Sequence, residues 1–198
     1  MQNTISNLEK NGFEVLHVKN SAQAFEIAKS YVKDGIKIGL GGSTTVAEIG
    51  LLKYLVEHKN INLCNQYETG IDMSENLKRR RDGLLSDLYI TGCNAITKDG
   101  ELVNADGSGN RVAAQIFGPE KVLLFVGTNK IVENLHEAFD RITNIAAQKN
   151  IQRMNTKAIE MGKEPQYNID NIANKFSFIN GDQEGRTTIV LIDEELGY

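Results

Sequence analysis

The run Lys121-Val122-Leu123-Leu124-Phe125-Val126 constrains the fold more than any other stretch of the chain. Its apolar residues follow one another without polar alternation, the pattern of a strand covered on both faces in a parallel sheet. The surrounding sequence agrees, because short β-rich runs alternate with longer helical patterns. Strands are expected at Ile36–Leu40, Ile61–Cys64, Asp87–Gly92 and Thr187–Ile192, and helices at Ser21–Asp34, Thr44–His58, Met73–Leu85 and Gly109–Phe117. Ser21 reads as the N-cap of the first helix and Gly35 as its stop, while Gly118-Pro119 ends the last. The longest helix is placed at Asn129–Gln148, with Val132, Leu135, Phe139, Ile142, Ile145 and Ala146 on one apolar stripe. Ala95-Ile96-Thr97 and Glu101-Leu102-Val103, joined by Lys98-Asp99-Gly100, form a hairpin signal. Residues 150–185 are polar and weakly periodic, and no element is assigned there. The expected architecture is a three-layer α/β sandwich around a mostly parallel sheet, with one domain over residues 1–198.

Composition narrows the function. A hydrophobic share of 40% with 24% charged residues is too apolar for disorder. With 22 basic and 26 acidic side chains the net charge is −4, so the basic face that nucleic acids require is not expected. Two cysteines, Cys64 and Cys93, make neither a disulfide framework nor a four-thiolate zinc site. The N-terminal MQNTISNLEKNGFEV has no apolar segment of the secretory type, and no run of about 18 apolar residues occurs. A cytoplasmic protein without a membrane partner is expected.

In parallel sheets ligands bind beyond the carboxyl ends of the strands. Two loops there carry the candidate chemistry. Gly41, Gly42, Ser43, Thr44 and Thr45 follow a strand and open a helix, so backbone N–H groups and hydroxyls are available to a phosphate or carboxylate. A tight turn with Ser43 as N-cap explains the same residues without a ligand. Asn104, Asp106, Gly107, Gly109, Asn110 and Arg111 form the second loop, in which Arg111 supplies a planar cation suited to a bidentate anion. Asx side chains capping their own backbone account equally for Asp106 and Asn110. Glu48, one helical turn past Ser43, is the catalytic candidate, with Glu101 a distant second. Cys93 has no histidine nearby in sequence and reads as a core thiol. His17, His58 and His136 are not spaced as metal ligands, and Lys78-Arg79-Arg80-Arg81 reads as a solvated helix face.

Gly41-Gly42-Ser43 with Thr45, Glu48 and Gly50, then Asn94-Ala95-Ile96-Thr97, Asn104, Asp106-Gly107, Gly109 to Ala114, Phe117-Gly118-Pro119, Asn129-Lys130-Ile131-Val132 and Glu194-Glu195-Leu196-Gly197-Tyr198 resemble the LUD-domain family, named for lactate utilization. The resemblance covers nearly the whole chain. It implies the fold of ribose-5-phosphate isomerase and the coenzyme A transferases, and it adds Asn94 and Lys130 to the ligand-binding candidates. Thr91-Gly92-Cys93-Asn94 through Ala114 looks like the matching region of methylthioribose-phosphate isomerases, which carry a catalytic aspartate about where Asn94 stands; an amide takes up no proton, so their ring-opening chemistry is not expected. The ligand class implied is a small anionic metabolite: lactate or pyruvate, a sugar phosphate or a coenzyme A ester. Lactate utilization protein C, a member of that family, acts beside iron-sulfur partners, so the resemblance implies lactate-oxidation subunits as candidate partners, and the fold's habits suggest a homodimer. Relatives carry a cysteine cluster before the last strand. Residues 150–185 have none here, so neither an iron-sulfur cluster nor a structural metal is expected. A non-catalytic regulatory or complex-forming subunit that senses a metabolite is the alternative.

Overall fold

The computed structural model describes residues 1–198. It opens with α1 (Gln2–Lys10), β1 (Glu14–Val18), α2 (Ser21–Tyr31) and β2 (Lys37–Leu40). There follow α3 (Thr44–Glu48), α4 (Leu51–Glu57), β3 (Asn62–Cys64), α5 (Met73–Gly83) and β4 (Leu88–Gly92). The hairpin strands β5 (Ala95–Thr97) and β6 (Leu102–Asp106) lead to α6 (Asn110–Ile116) and β7 (Lys121–Gly127). A 3₁₀ turn at Thr128–Lys130 and β8 (Ile131–Val132) precede α7 (Leu135–Arg141), a π-helical turn at Ile142–Ala146 and α8 (Ala147–Glu160). The chain closes with α9 (Ile169–Ile172), β9 (Lys175–Ile179) and β10 (Thr187–Ile192).

Six strands form one sheet in the order β1-β10-β7-β4-β2-β3, parallel throughout. Alternation along its central strands sends side chains to two cores. Leu123, Phe125, Val190 and Ile192 face Ala24 and Ala28 of α2 and Val46, Leu51 and Leu55 of α3 and α4. Val122, Leu124, Val126, Ile189 and Leu191 face Leu8 of α1, Ala114 of α6, and Ile96 and Leu102 of the hairpin. The hairpin belongs to a second sheet, β8-β5-β6-β9, whose other face packs Ala95, Val103 and Ala105 on Ala138 and Ile142. The uninterrupted apolar run at β7 is thus explained by a layer on each side.

Several expectations are corrected. Asn20, rather than Ser21, caps α2, accepting from the Gln23 N–H at 3.0 Å. Gly50, at φ +80°, divides the helix expected at Thr44–His58 into α3 and α4. The helix expected at Asn129–Gln148 begins only after Asn134, whose side chain accepts from the Glu137 N–H, and it runs on into the unassigned segment. Its inward stripe is Ala138, Arg141, Ile142 and Ala146, whereas Phe139 and Ile145 are 43% and 44% exposed. Neither α1 with β1 nor α9 with β9 was legible. The hairpin turn lies against α1: Asn7 donates to the Lys98 carbonyl at 2.9 Å, and a Cβ at Gly100 would come within 2.6 Å of the Leu8 nitrogen.

Candidate functional site

Because the large sheet is parallel, the segments leaving β2, β4, β7 and β10 emerge at one edge. Gly41 leaves β2 in close contact with its neighbours: a Cβ there would lie 2.3 Å from Thr91 Oγ1 and 3.1 Å from Arg111 Cγ. Glycine at this position therefore lets the two loops singled out in the sequence touch. The Gly41 N–H bonds to the Ile90 carbonyl, and the Val46 N–H bonds to Ser43 Oγ, which caps α3. Between them, the N–H groups of Gly42, Ser43, Thr44 and Thr45 have no hydrogen-bond acceptor within the chain. The Tyr67 hydroxyl donates to the Gly41 carbonyl at 3.3 Å. Desolvation of this hydroxyl pushes its pKa up, against Gln66 and the guanidinium groups of Arg153, Arg80 and Arg111.

Arg111 is 7% exposed and fully engaged. Its Nη1 donates to Asn104 Oδ1 at 2.9 Å and to the Gly92 carbonyl at 3.4 Å. Its Nη2 donates to Asn94 Oδ1 at 2.7 Å and to the Ala105 carbonyl. The two asparagines also satisfy each other's strands, Asn104 Oδ1 accepting from the Asn94 N–H and Asn94 Oδ1 from the Ala105 N–H, both at 3.0 Å. Asn104 Nδ2 donates to Gln115, which donates to Gly92. On the opposite side Arg141 donates to the Asn94 carbonyl at 2.7 Å and to the Asn129 carbonyl at 2.9 Å. A buried guanidinium in such a network orders the backbone around it.

The 3₁₀ turn after β7 directs Lys130 inward to 2% exposure. Its Nζ donates to Thr45 Oγ1 at 2.8 Å, and Thr45 Oγ1 donates to the Leu196 carbonyl at 3.2 Å. No carboxylate pairs with Lys130. Burial, then the nearby Arg141 and Arg111, outweigh Cys93 and Glu48 and bring its pKa down to about 8. Residues 196–198 lie over this pair. The Gly197 N–H donates to Glu48 Oε2 at 2.6 Å, Asn129 bonds Leu196 and Gly197, and Tyr198 accepts from Arg153. Gly197 has φ +62°, and a Cβ there would meet Thr45 Oγ1 at 2.5 Å and Lys130 Nζ at 3.3 Å.

The candidate residues therefore divide. Gly41, Gly42, Ser43, Thr44, Thr45, Asn94 and Lys130 gather at the strand ends. The expectation that Arg111 offers a free fork to a ligand is corrected, since protein acceptors take both terminal nitrogens. Asn104 is fully buried in the same network, so it too offers nothing to a ligand. Asp106, Gly107 and Gly109 are turn formers: Asp106 Oδ2 accepts from the Gly109 and Arg111 N–H groups, and a Cβ at Gly107 would collide with the Asn171 carbonyl. Asn110 donates to the Tyr89 hydroxyl at 3.2 Å. Glu48 is exposed and holds Gly197, lacking the desolvated setting of a proton-transfer carboxylate, and Glu101 accepts from Thr97 in the hairpin. Two open surface concavities flank α3, and neither is lined by Lys130 or Asn94.

Arg141, Tyr67 and the Leu196–Tyr198 segment were missed. An arginine among Ala138, Ile142 and Ala146 on the inward stripe is the signal that marks Arg141. No three His, Cys, Asp or Glu side chains converge as metal ligands, and Cys93 Sγ lies buried against the Ala95 carbonyl at 3.0 Å, so these residues do not fit an iron-sulfur cluster. No helix is long and apolar enough to cross a membrane.

The model of the LUD domain matches residues 1–192. The chain belongs to the LUD-domain family. None of the curated proteins matches it. Among solved structures, a DUF162 family protein from Deinococcus radiodurans is 14% identical, with 96% of this chain and 94% of that one covered and a TM-score of 0.54, so the LUD domain here shares its fold over nearly the full length. Looser likenesses are to eIF2B beta from Chaetomium thermophilum, 16% identical over 59% of this chain and 44% of that one with a TM-score of 0.38. Ribose 5 phosphate isomerase A from Neisseria gonorrhoeae is 16% identical over 68% of this chain and 65% of that one, with a TM-score of 0.37.

Proposed function

We propose that this LUD-domain protein binds a small anionic metabolite at the carboxyl edge of its parallel sheet, between residues 41–45 and Lys130. The observation that carries the reading is Lys130 itself. A buried ammonium without a carboxylate is costly, and an anionic ligand supplies the missing counter-charge. The N–H groups of residues 42–45 add donors that reach such an anion without further side chains. Lactate or pyruvate accords with the family's association with lactate utilization; a sugar phosphate or coenzyme A ester accords with the fold implied by the resemblance. Arg111 and Arg141 act as positioning residues that fix Asn94.

The exposed, tail-bound Glu48 favours a second reading, a metabolite-sensing subunit whose surface docks partner proteins without acid-base chemistry. Thermal unfolding with lactate, pyruvate, ribose 5-phosphate and acetyl-coenzyme A tests the binding. One of them should raise stability by about 2.7 kcal/mol at a hundred times its dissociation constant, and Lys130→Ala should remove that gain. Stabilisation by none of the four, or stabilisation indifferent to Lys130→Ala, refutes the reading.

A further inference from the structure

Lys130 has the surroundings of a reactive amine rather than of a structural cation. Structural lysines keep their charge by pairing with a carboxylate or reaching water. Lys130 does neither: it is 2% exposed, its one hydrogen-bond partner is a hydroxyl, and burial together with the Arg141 and Arg111 guanidinium groups opposes its protonation. Facing it are Cys93 at the end of β4, Arg111 on α6, Arg141 on α7 and Glu48 on α3. Burial beside other cations is how a lysine amine is kept unprotonated and nucleophilic.

We propose that Lys130 captures the carbonyl group of an anionic 2-oxo acid or aldehyde as a Schiff base, with Thr45 beside it to relay the proton. This rests on the anion-binding reading above and names its substrate class. The Nζ lone pair forms the new bond to the carbonyl carbon, and the carbonyl π pair moves to oxygen. One amine proton passes to that oxygen to give the carbinolamine. Loss of the second amine proton and departure of the oxygen as water complete the C=N bond. Thr45 Oγ1, already accepting from Nζ and donating to the Leu196 carbonyl, lies where a proton is handed from nitrogen to oxygen. The Leu196–Tyr198 segment covers Nζ and must lift for a carbonyl compound to enter. Its attachment to exposed Glu48 makes that a local opening. Closed again, the segment shields the imine from water.

The test uses the full chain with pyruvate and sodium cyanoborohydride, which delivers hydride to the imine carbon and leaves a stable carboxyethyl amine. Peptide mass mapping should find Lys130 labelled about tenfold faster than exposed Lys53 near pH 8, with a rate that rises through that pH. Lys130→Arg keeps the charge and should lose the label. Label confined to exposed lysines overturns the proposal. Thermal stabilisation by lactate, which has no carbonyl, is measured alongside. Stabilisation by both acids with Lys130 unlabelled removes the amine chemistry and leaves anion binding standing; no stabilisation and no label removes both. Label on Lys130 without stabilisation by lactate supports carbonyl capture while counting against a general anion site.

Discussion

Lys130 Nζ donates to Thr45 Oγ1 at 2.8 Å, tying the turn after β7 to the start of α3 after β2. Two strands that are not neighbours in the sheet are thereby joined at the edge where the loops gather. Folding brings this amine out of water, and its protonation is therefore coupled to stability.

In the folded chain the Lys130 pKa falls from 10.5 to about 8, chiefly through burial. Between those values the unfolded chain binds the extra proton, so this group's contribution to stability rises with pH from about 8 to 10.5. Below that window the cost of burying the ammonium is fully present. The whole shift corresponds to about 3 kcal/mol. Tyr89, Tyr67 and Cys93, whose pKa values burial raises, have the opposite slope. Urea unfolding of wild type and Lys130→Met across this range isolates the effect: the variant is more stable at neutral pH and its advantage shrinks as pH rises. A constant difference between the two would show that Lys130 is not held in this way.

Replacing Arg111 by alanine strips donors from Asn94, Asn104, Ala105 and Gly92 at once. Each of these acceptors loses a charge-assisted bond, although Asn94, Asn104 and Gly92 keep a second donor, and the buried side chain leaves a void, so a loss of about 3–5 kcal/mol is the expected result in chemical denaturation. Arg111→Lys recovers only part of it, because an ammonium cannot span acceptors on two strands. Near-wild-type stability of the alanine variant would mean that water replaces the guanidinium.

At Gly197 both φ +62° and the approach of Thr45 forbid a side chain. Gly197→Ala should cost about 1–2 kcal/mol and free residues 196–198, seen as faster amide hydrogen exchange there. Gly35→Ala is the control: its φ is +80° but nothing lies within 4 Å of the added Cβ, so only the conformational cost is expected, with exchange at 196–198 unchanged.

The parallel sheet was legible because β7, β4 and β10 carry continuous apolar runs, which water-facing strands do not. The half-exposed edge strand β1 and the outward Phe176 and Phe178 of β9 have no comparable signature. In α8 the buried residues are small alanines, 147 and 158, within a polar sequence, so the helix is amphipathic but its inward face carries little apolar bulk. The glycine loop could be found from its composition. The role of Arg111 could not, since sequence does not reveal that the hairpin sets Asn94 and Asn104 opposite one another. Arg141 lies one turn past buried Ala138 on the inward face of α7 and so points into the site, whereas Phe139, next to Ala138, lies off that face.

Asn94 Oδ1 accepts from Arg111 and Ala105, and its Nδ2 has no acceptor within the chain. Asn94→Asp keeps both accepted bonds and sets a charge against the Arg111 guanidinium, so stability should hold or rise by about 1 kcal/mol. The same charge repels an incoming anion. Ligand-induced stabilisation should therefore fall without loss of fold, as thermal unfolding with and without ligand reports.

Anion binding at the edge of the sheet is tested most directly by following backbone amide resonances during titration with pyruvate and, separately, inorganic phosphate. Saturable shifts at Gly42, Ser43, Thr44 and Thr45, lost in Lys130→Ala, are the predicted result. Shifts that leave these four amides unmoved while others saturate, or no saturable shift at all, would place anion recognition elsewhere or remove it from this protein.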